Sequence, residues 1–151
     1  MAIAPNTTFV SGAILTAAQQ NAFGFGVVAF ATSTATPAAI TSSLATVLTS
    51  STFTAIANRY YKITYFEPVI TASSGTVTFI QGTLNNGATA LATGTDLTSN
   101  ERSQVSIFAV TTFTAGSITI TAKLQTNSGT ATANRSATGP AILLVEDIGP
   151  A

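Results

Sequence analysis

The residues best suited to chemistry are a few carboxylates. Asp96 and Glu101 flank a polar loop, Asp96-Leu-Thr-Ser-Asn-Glu101-Arg102. Two carboxylates brought together there could bind calcium or act on a glycoside. The loop lacks the acidic density and the glycine of a dedicated calcium loop, so Glu101 and Arg102 read as solvated charges at a strand end. Glu146 and Asp147 are adjacent, so in a strand they point to opposite faces and cannot share a substrate. The chain has no histidine and no cysteine, which removes the common triads, thiol nucleophiles and thiolate metal sites. Gly24-Phe-Gly26 has no third glycine or lysine at the spacing of a phosphate loop. Asn6-Thr-Thr8 and Asn134-Arg-Ser136 match the glycosylation acceptor pattern, but three-residue matches arise by chance. The expectation is a non-enzymatic chain with no catalytic, cofactor-binding or metal-binding residue.

The elements that would position any site are strands. Arg59-Tyr-Tyr-Lys-Ile-Thr-Tyr-Phe-Glu-Pro-Val-Ile70 holds all three tyrosines. Its alternation puts Tyr61, Ile63, Tyr65 and Val69 on one side and Tyr60, Lys62, Thr64 and Phe66 on the other. Ser73-Ser74-Gly75 is expected to turn the chain so that Thr76-Val-Thr-Phe-Ile-Gln-Gly82 returns as an antiparallel partner. Phe25 to Ala31 is an apolar run suited to a buried strand. Leu44 to Leu48, Phe53 to Ala57 and Val105 to Val110 read as further strands. Asn85-Asn86-Gly87 is a strong tight-turn signal. Ile118, Ile120, Ala122 and Leu124 alternate with polar residues as a half-buried strand. Asn127-Ser-Gly129 turns into a Thr/Ala strand, and Ala141 to Val145 closes the series. About eight or nine short strands predict an all-β fold, an antiparallel β-sandwich or jelly roll. The tyrosines are expected to fill its core and a subunit contact, rather than line a sugar or receptor groove.

Before the β domain, placed at residues 24–151, residues 1–23 read as an extended arm and one short helix. Thr16-Ala-Ala-Gln19 fits a capping box, and Gly24 and Gly26 end the helix. Two turns are marginal in isolation, so Phe9, Val10, Ile14, Leu15 and Phe23 must be buried against something. They could cap the chain's own sheet or anchor it to a neighbouring subunit, and the anchor is the expectation.

Charged residues make up 7% of the 151, with formal net charge zero, against about 25% in an ordinary soluble domain. With no basic patch to neutralise phosphates, nucleic-acid binding is not expected. No secretory signal or membrane-spanning run is visible, and no membrane partner is expected. So few charges leave two readings of the surface: one kept in water by threonine and serine hydroxyls, or one largely buried in an assembly. The second is preferred.

Two stretches carry a resemblance. Phe9-Val-Ser-Gly-Ala-Ile-Leu-Thr-Ala-Ala-Gln-Gln-Asn21 resembles the leader of tailed-bacteriophage virion proteins. Phe53-Thr-Ala-Ile-Ala-Asn-Arg-Tyr-Tyr-Lys-Ile-Thr64 and Ala141-Ile-Leu-Leu-Val-Glu-Asp-Ile-Gly-Pro150 resemble small phage domains with a tumour-necrosis-factor-like jelly roll. The resemblance implies a homotrimeric virion protein with no catalytic residue, partnered by the major capsid protein or by tail proteins. A short chain starting at its own methionine, with no shaft repeat, favours a capsid decoration (cement) protein. The alternative is a tail-tip or fibre-head protein whose loop from Asn85 to Asn100 binds a host receptor. The candidate subunit contacts are Tyr60, Phe66 and Phe108, each opposite the inward set of its own strand.

Overall fold

The computed structural model describes residues 26–74, 77–97 and 102–151. The expected arm and helix, with Phe9, Val10, Ile14, Leu15 and Phe23, lie outside the described residues. The rest is all β, in eleven strands among the described residues: β1 (Gly26–Ser33), β2 (Ala45–Thr49), β3 (Phe53–Ala55), β4 (Arg59–Ser74), β5 (Phe79–Asn86), β6 (Thr89–Leu97), β7 (Arg102–Thr112), β8 (Gly116–Ile118), β9 (Ile120–Thr126), β10 (Thr130–Ala133) and β11 (Ala141–Pro150). Every pairing is antiparallel.

β4 is the organising strand because its 16 residues are long enough to take several partners. Along one edge β11 pairs with its first half and β10 with its second. β7 runs along the opposite edge from Tyr60 to Thr71, and β1 joins beyond β11 to complete a five-stranded sheet. A second sheet has the order β2-β9-β5-β6, and β3 pairs with β8 in a small third one.

The expected hairpin between β4 and the Thr76–Gly82 stretch does not form. β5 instead pairs with β6 and β9 in the four-stranded sheet. The turn signal fixed where the chain leaves β4 but not which sheet it enters next. Asn85-Asn86-Gly87 does make the β5–β6 hairpin, with Gly87 at φ 57°, a left-handed conformation that costs glycine little.

Alternation holds along most of β4. Tyr61, Ile63, Tyr65 and Glu67 are all buried. A bulge between Glu67 and Ile70 then shifts the pattern, so Ile70 is buried in the place expected for Val69, which is only half-buried. Pro68 lies within this bulge, where a residue without an N–H is tolerated in a strand. β1 also departs from expectation. It is an edge strand rather than a buried one, and Val27 and Phe30 are exposed.

The inward faces of the two larger sheets share one core. Ile63, Tyr65, Val105 and Ile107 come from the first, and Ile80, Leu84, Ala122 and Leu124 from the second. The sheets pack tightly at Gly82, which faces Gly94 across the β5–β6 pair. A Cβ at Gly82 would lie 2.6 Å from Ile107 Cδ1 and 2.7 Å from Val105 Cγ1, so a side chain there would push the sheets apart.

Candidate functional site: an apolar sheet face over two buried ion pairs

The alternation that buries one side of the five-stranded sheet turns a second set of side chains outward. Three cross-strand rows define this outer face, read from β1 through β11 and β4 to β7. They are Val27-Glu146-Lys62-Val110, Phe30-Leu144-Thr64-Phe108 and Thr32-Ile142-Phe66-Ser106. Tyr60 lies one step further, opposite Thr112. Among the described residues seven large hydrophobic side chains are exposed, and five belong to strands of this sheet: Val27, Phe30, Phe108, Val110 and Ile148. Phe108 is the most open, at 72%. Single exposed hydrophobics are ordinary, whereas five on the strands of one sheet set this face apart.

The three candidate contact residues therefore meet on one face. Phe66 and Phe108 are diagonal neighbours across β4 and β7, within reach for aromatic side chains. Tyr60 and Phe66 are half-buried by their neighbours, and Phe108 stands clear. Within these rows the charged residues are Lys62 and Glu146, which pair with each other at 3.5 Å.

Behind the face lie four of the ten charged residues, buried in two ion pairs. At the start of β4, Arg59 donates from Nε to Asp147 Oδ2 at 2.6 Å and from Nη2 to Asp147 Oδ1 at 2.8 Å. This fork-to-fork pairing makes strong, directional hydrogen bonds. The Gly149 N–H adds a further bond to Asp147 Oδ1 at 3.0 Å. The pair ties β11 to β4, and the Ala151 N–H donates to the Asn58 carbonyl at 2.8 Å, which fixes the end of the chain. Beside it the rings of Phe53, Tyr61 and Phe113 cluster with centroids 5.5–6.1 Å apart.

The second pair joins Glu67 of β4 to Arg135, in the segment between β10 and β11. Arg135 donates from Nη2 to Glu67 Oε2 at 2.6 Å and from Nε to Oε1 at 2.9 Å. The same guanidinium reaches the Val47 carbonyl at 3.2 Å and the Ala35 carbonyl at 3.4 Å, linking β4 to β2 of the other sheet. The Tyr65 hydroxyl donates to Glu67 Oε2 at 2.6 Å. Burial, and then the adjacent Glu67 charge, raise the pKa of Tyr65 well above the ordinary tyrosine value. Burial lowers that of Arg135, but hydrogen bonds and charge from Glu67 outweigh it and leave it raised. Both pairs escape a search for exposed chemistry. One signal was present, since strand parity puts Glu67 on the inward face with Tyr65, and a buried carboxylate needs a partner.

Glu146 and Asp147 do point to opposite faces, one to Lys62 and the other to Arg59. Asp96 accepts a hydrogen bond from Ser103, while Glu101 lies outside the described residues. The stretch from Asn85 to Asn100 is not a free loop. It holds the end of β5, a tight turn and all of β6, with residues 98–100 outside the described set. Its alternating residues hydrogen-bond to β5 as a regular strand. An open groove of about 600 Å³ lies at the far end of β4, lined by Val69, Thr71, Ala72, Arg102, Thr132 and Asn134. No protein-family model matches the chain, and no curated protein is significantly similar to it.

Proposed function

We propose that the protein is a non-enzymatic structural component of a bacteriophage virion: a homotrimeric capsid decoration protein built on a jelly-roll sandwich and partnered by the major capsid protein. The observation that carries the proposal is the outer face of the five-stranded sheet, with five exposed large hydrophobics on a chain of net charge zero. Such a face suits a permanent protein contact. Burying four of the ten charges in ion pairs leaves at most six for the whole surface, which a lone soluble domain would not favour. The strand orders β1-β11-β4-β7 and β2-β9-β5-β6 fit the jelly-roll reading, because the chain passes repeatedly between the two sheets.

Light scattering on the purified protein tests the assembly, and a mass three times the 15.2 kDa chain is expected. Immunogold labelling of purified phage particles tests the location. Label spread over the head supports decoration, whereas label confined to the tail would replace it with a tail protein.

A further inference from the structure

Resting on the trimer reading, we infer that the copies join as a ring in which the β7 flank of the outer face meets the β1 flank of the next copy. Within the three rows, the exposed large apolar side chains fall into two groups at opposite edges of the face. Val27 and Phe30 lie on β1, and Phe108 and Val110 lie on β7. Each group pairs an aromatic ring with a branched aliphatic side chain. Between them run β11 and β4, which carry the Lys62–Glu146 pair and Thr64 beside Leu144, Ile142 and Phe66, all three half-buried.

Two copies stacked face to face would bury the Lys62–Glu146 pair against its symmetry mate. Desolvating two charges is expensive unless the new surroundings satisfy them fully, and Lys62 is 47% exposed as it stands. A head-to-tail contact between unlike flanks removes the four large side chains from water and leaves that pair wet. Contacts of this kind close into rings when the rotation permits. The occupant is a second copy because the charges balance: the rows hold one positive and one negative residue already paired, and the chain has no net charge to repel its like. A partner selected by charge would find nothing here to select.

Introduced thiols test the arrangement without background, because the chain has no cysteine. Phe30 and Phe108 lie in one row, three strand spacings apart, roughly 14 Å. A bis-maleimide shorter than that cannot join them within one chain. In the ring, Phe30→Cys/Phe108→Cys cross-links to species of two and three chain masses, while each single variant stays at one. Single variants that cross-link as fully as the double one would mean a face-to-face dimer and overturn the inference. A trimer by light scattering that fails to cross-link in the double variant overturns the flank pairing but leaves the trimer standing. A monomer by light scattering removes both. A monomer whose binding to phage heads is lost in Phe108→Asp would assign the face to the shell protein instead.

Discussion

The outer faces of the two large sheets answer the same shortage of charge in opposite ways. On the five-stranded sheet seven of the twelve residues in the outward rows are apolar, Val27, Phe30, Ile142, Leu144, Phe66, Phe108 and Val110, beside Thr32, Thr64, Ser106 and one ion pair. On the four-stranded sheet the corresponding rows are Thr46-Lys123-Thr83-Thr93 and, beside them, Gln125-Gln81-Thr95. Hydroxyl and amide groups can bond to water or to one another without net charge, and this second face is the more polar of the two, although Thr83 and Asn85 of β5 are buried on it. The first exposes more apolar surface, with Phe108 the most open of its side chains. A surface poor in charge is thus two surfaces: one sheet face is the more hydroxyl-rich, and the other is the face on which the proposed assembly rests. The chain-wide composition could not separate them, because it averages over both.

The comparison requires a common core that holds both faces fixed, and the severest test removes the clasp between the sheets. Arg135→Met leaves Glu67 buried without its counter-charge and frees the Val47 carbonyl of β2. Breaking one side of a buried pair costs about 3–5 kcal/mol, which urea unfolding would read as a large fall in midpoint. The double variant Glu67→Gln/Arg135→Met removes both charges and is expected to recover much of that loss. If the double variant is no more stable than the single, the buried charge is not the cause. Next in size is Gly82→Ala, which places a methyl group against Ile107 and Val105 of the facing sheet. Overpacking of this kind costs about 1–3 kcal/mol. A neutral result would mean that the sheets can separate locally, and the two faces are then less rigidly coupled than proposed.

Much of this frame was legible from local pattern. Strand parity placed Tyr61, Ile63 and Tyr65 inward, and Ile120, Ala122 and Leu124 of β9 are all fully buried as their alternation predicts. Parity also put Tyr60, Phe66 and Phe108 outward, because it is a property of the backbone and needs no knowledge of partners. What it could not supply was pairing. β5 leaves β4 for the other sheet although the turn between them suggests a hairpin, since sheet membership depends on contacts distant in sequence. The ion pairs span 68 and 88 residues, so no local window contains both partners. Val69 was misplaced by the bulge at Pro68, where one extra residue reverses the alternation. β1 looked buried because its edge position, like its neighbour β11, is set from the far end of the chain.

A smaller effect separates the tyrosine beneath the apolar face from ordinary ones. The folded state raises the pKa of Tyr65, while in the unfolded chain it is about 10. Below pH 10 both states keep the proton, and this contribution to stability is fully present. Above it the unfolded chain releases a proton that the fold retains. Stability then falls by about 1.4 kcal/mol per pH unit from this group. Urea titrations at a series of alkaline pH values should show a shallower decline in Tyr65→Phe than in the parent protein. Equal slopes would mean that Tyr65 does not titrate differently in the two states.

The smallest expected effect on the fold gives the sharpest test of the comparison. Phe108→Asp and Thr93→Asp place the same charge on the outer faces of the two sheets. Both parent residues are exposed strand positions, so each change should alter the stability of the single chain by about 1 kcal/mol or less, the span of strand propensity. Their effects on association should differ. At a subunit contact the aspartate would be desolvated with no partner, so Phe108→Asp is expected to run as a monomer in sedimentation velocity. Thr93→Asp, on the hydroxyl-rich face, should keep the mass of the parent. If both variants assemble alike, the apolar face is not where copies meet. If Thr93→Asp dissociates while Phe108→Asp does not, the roles of the two faces are reversed, and the polar rows of the four-stranded sheet form the contact.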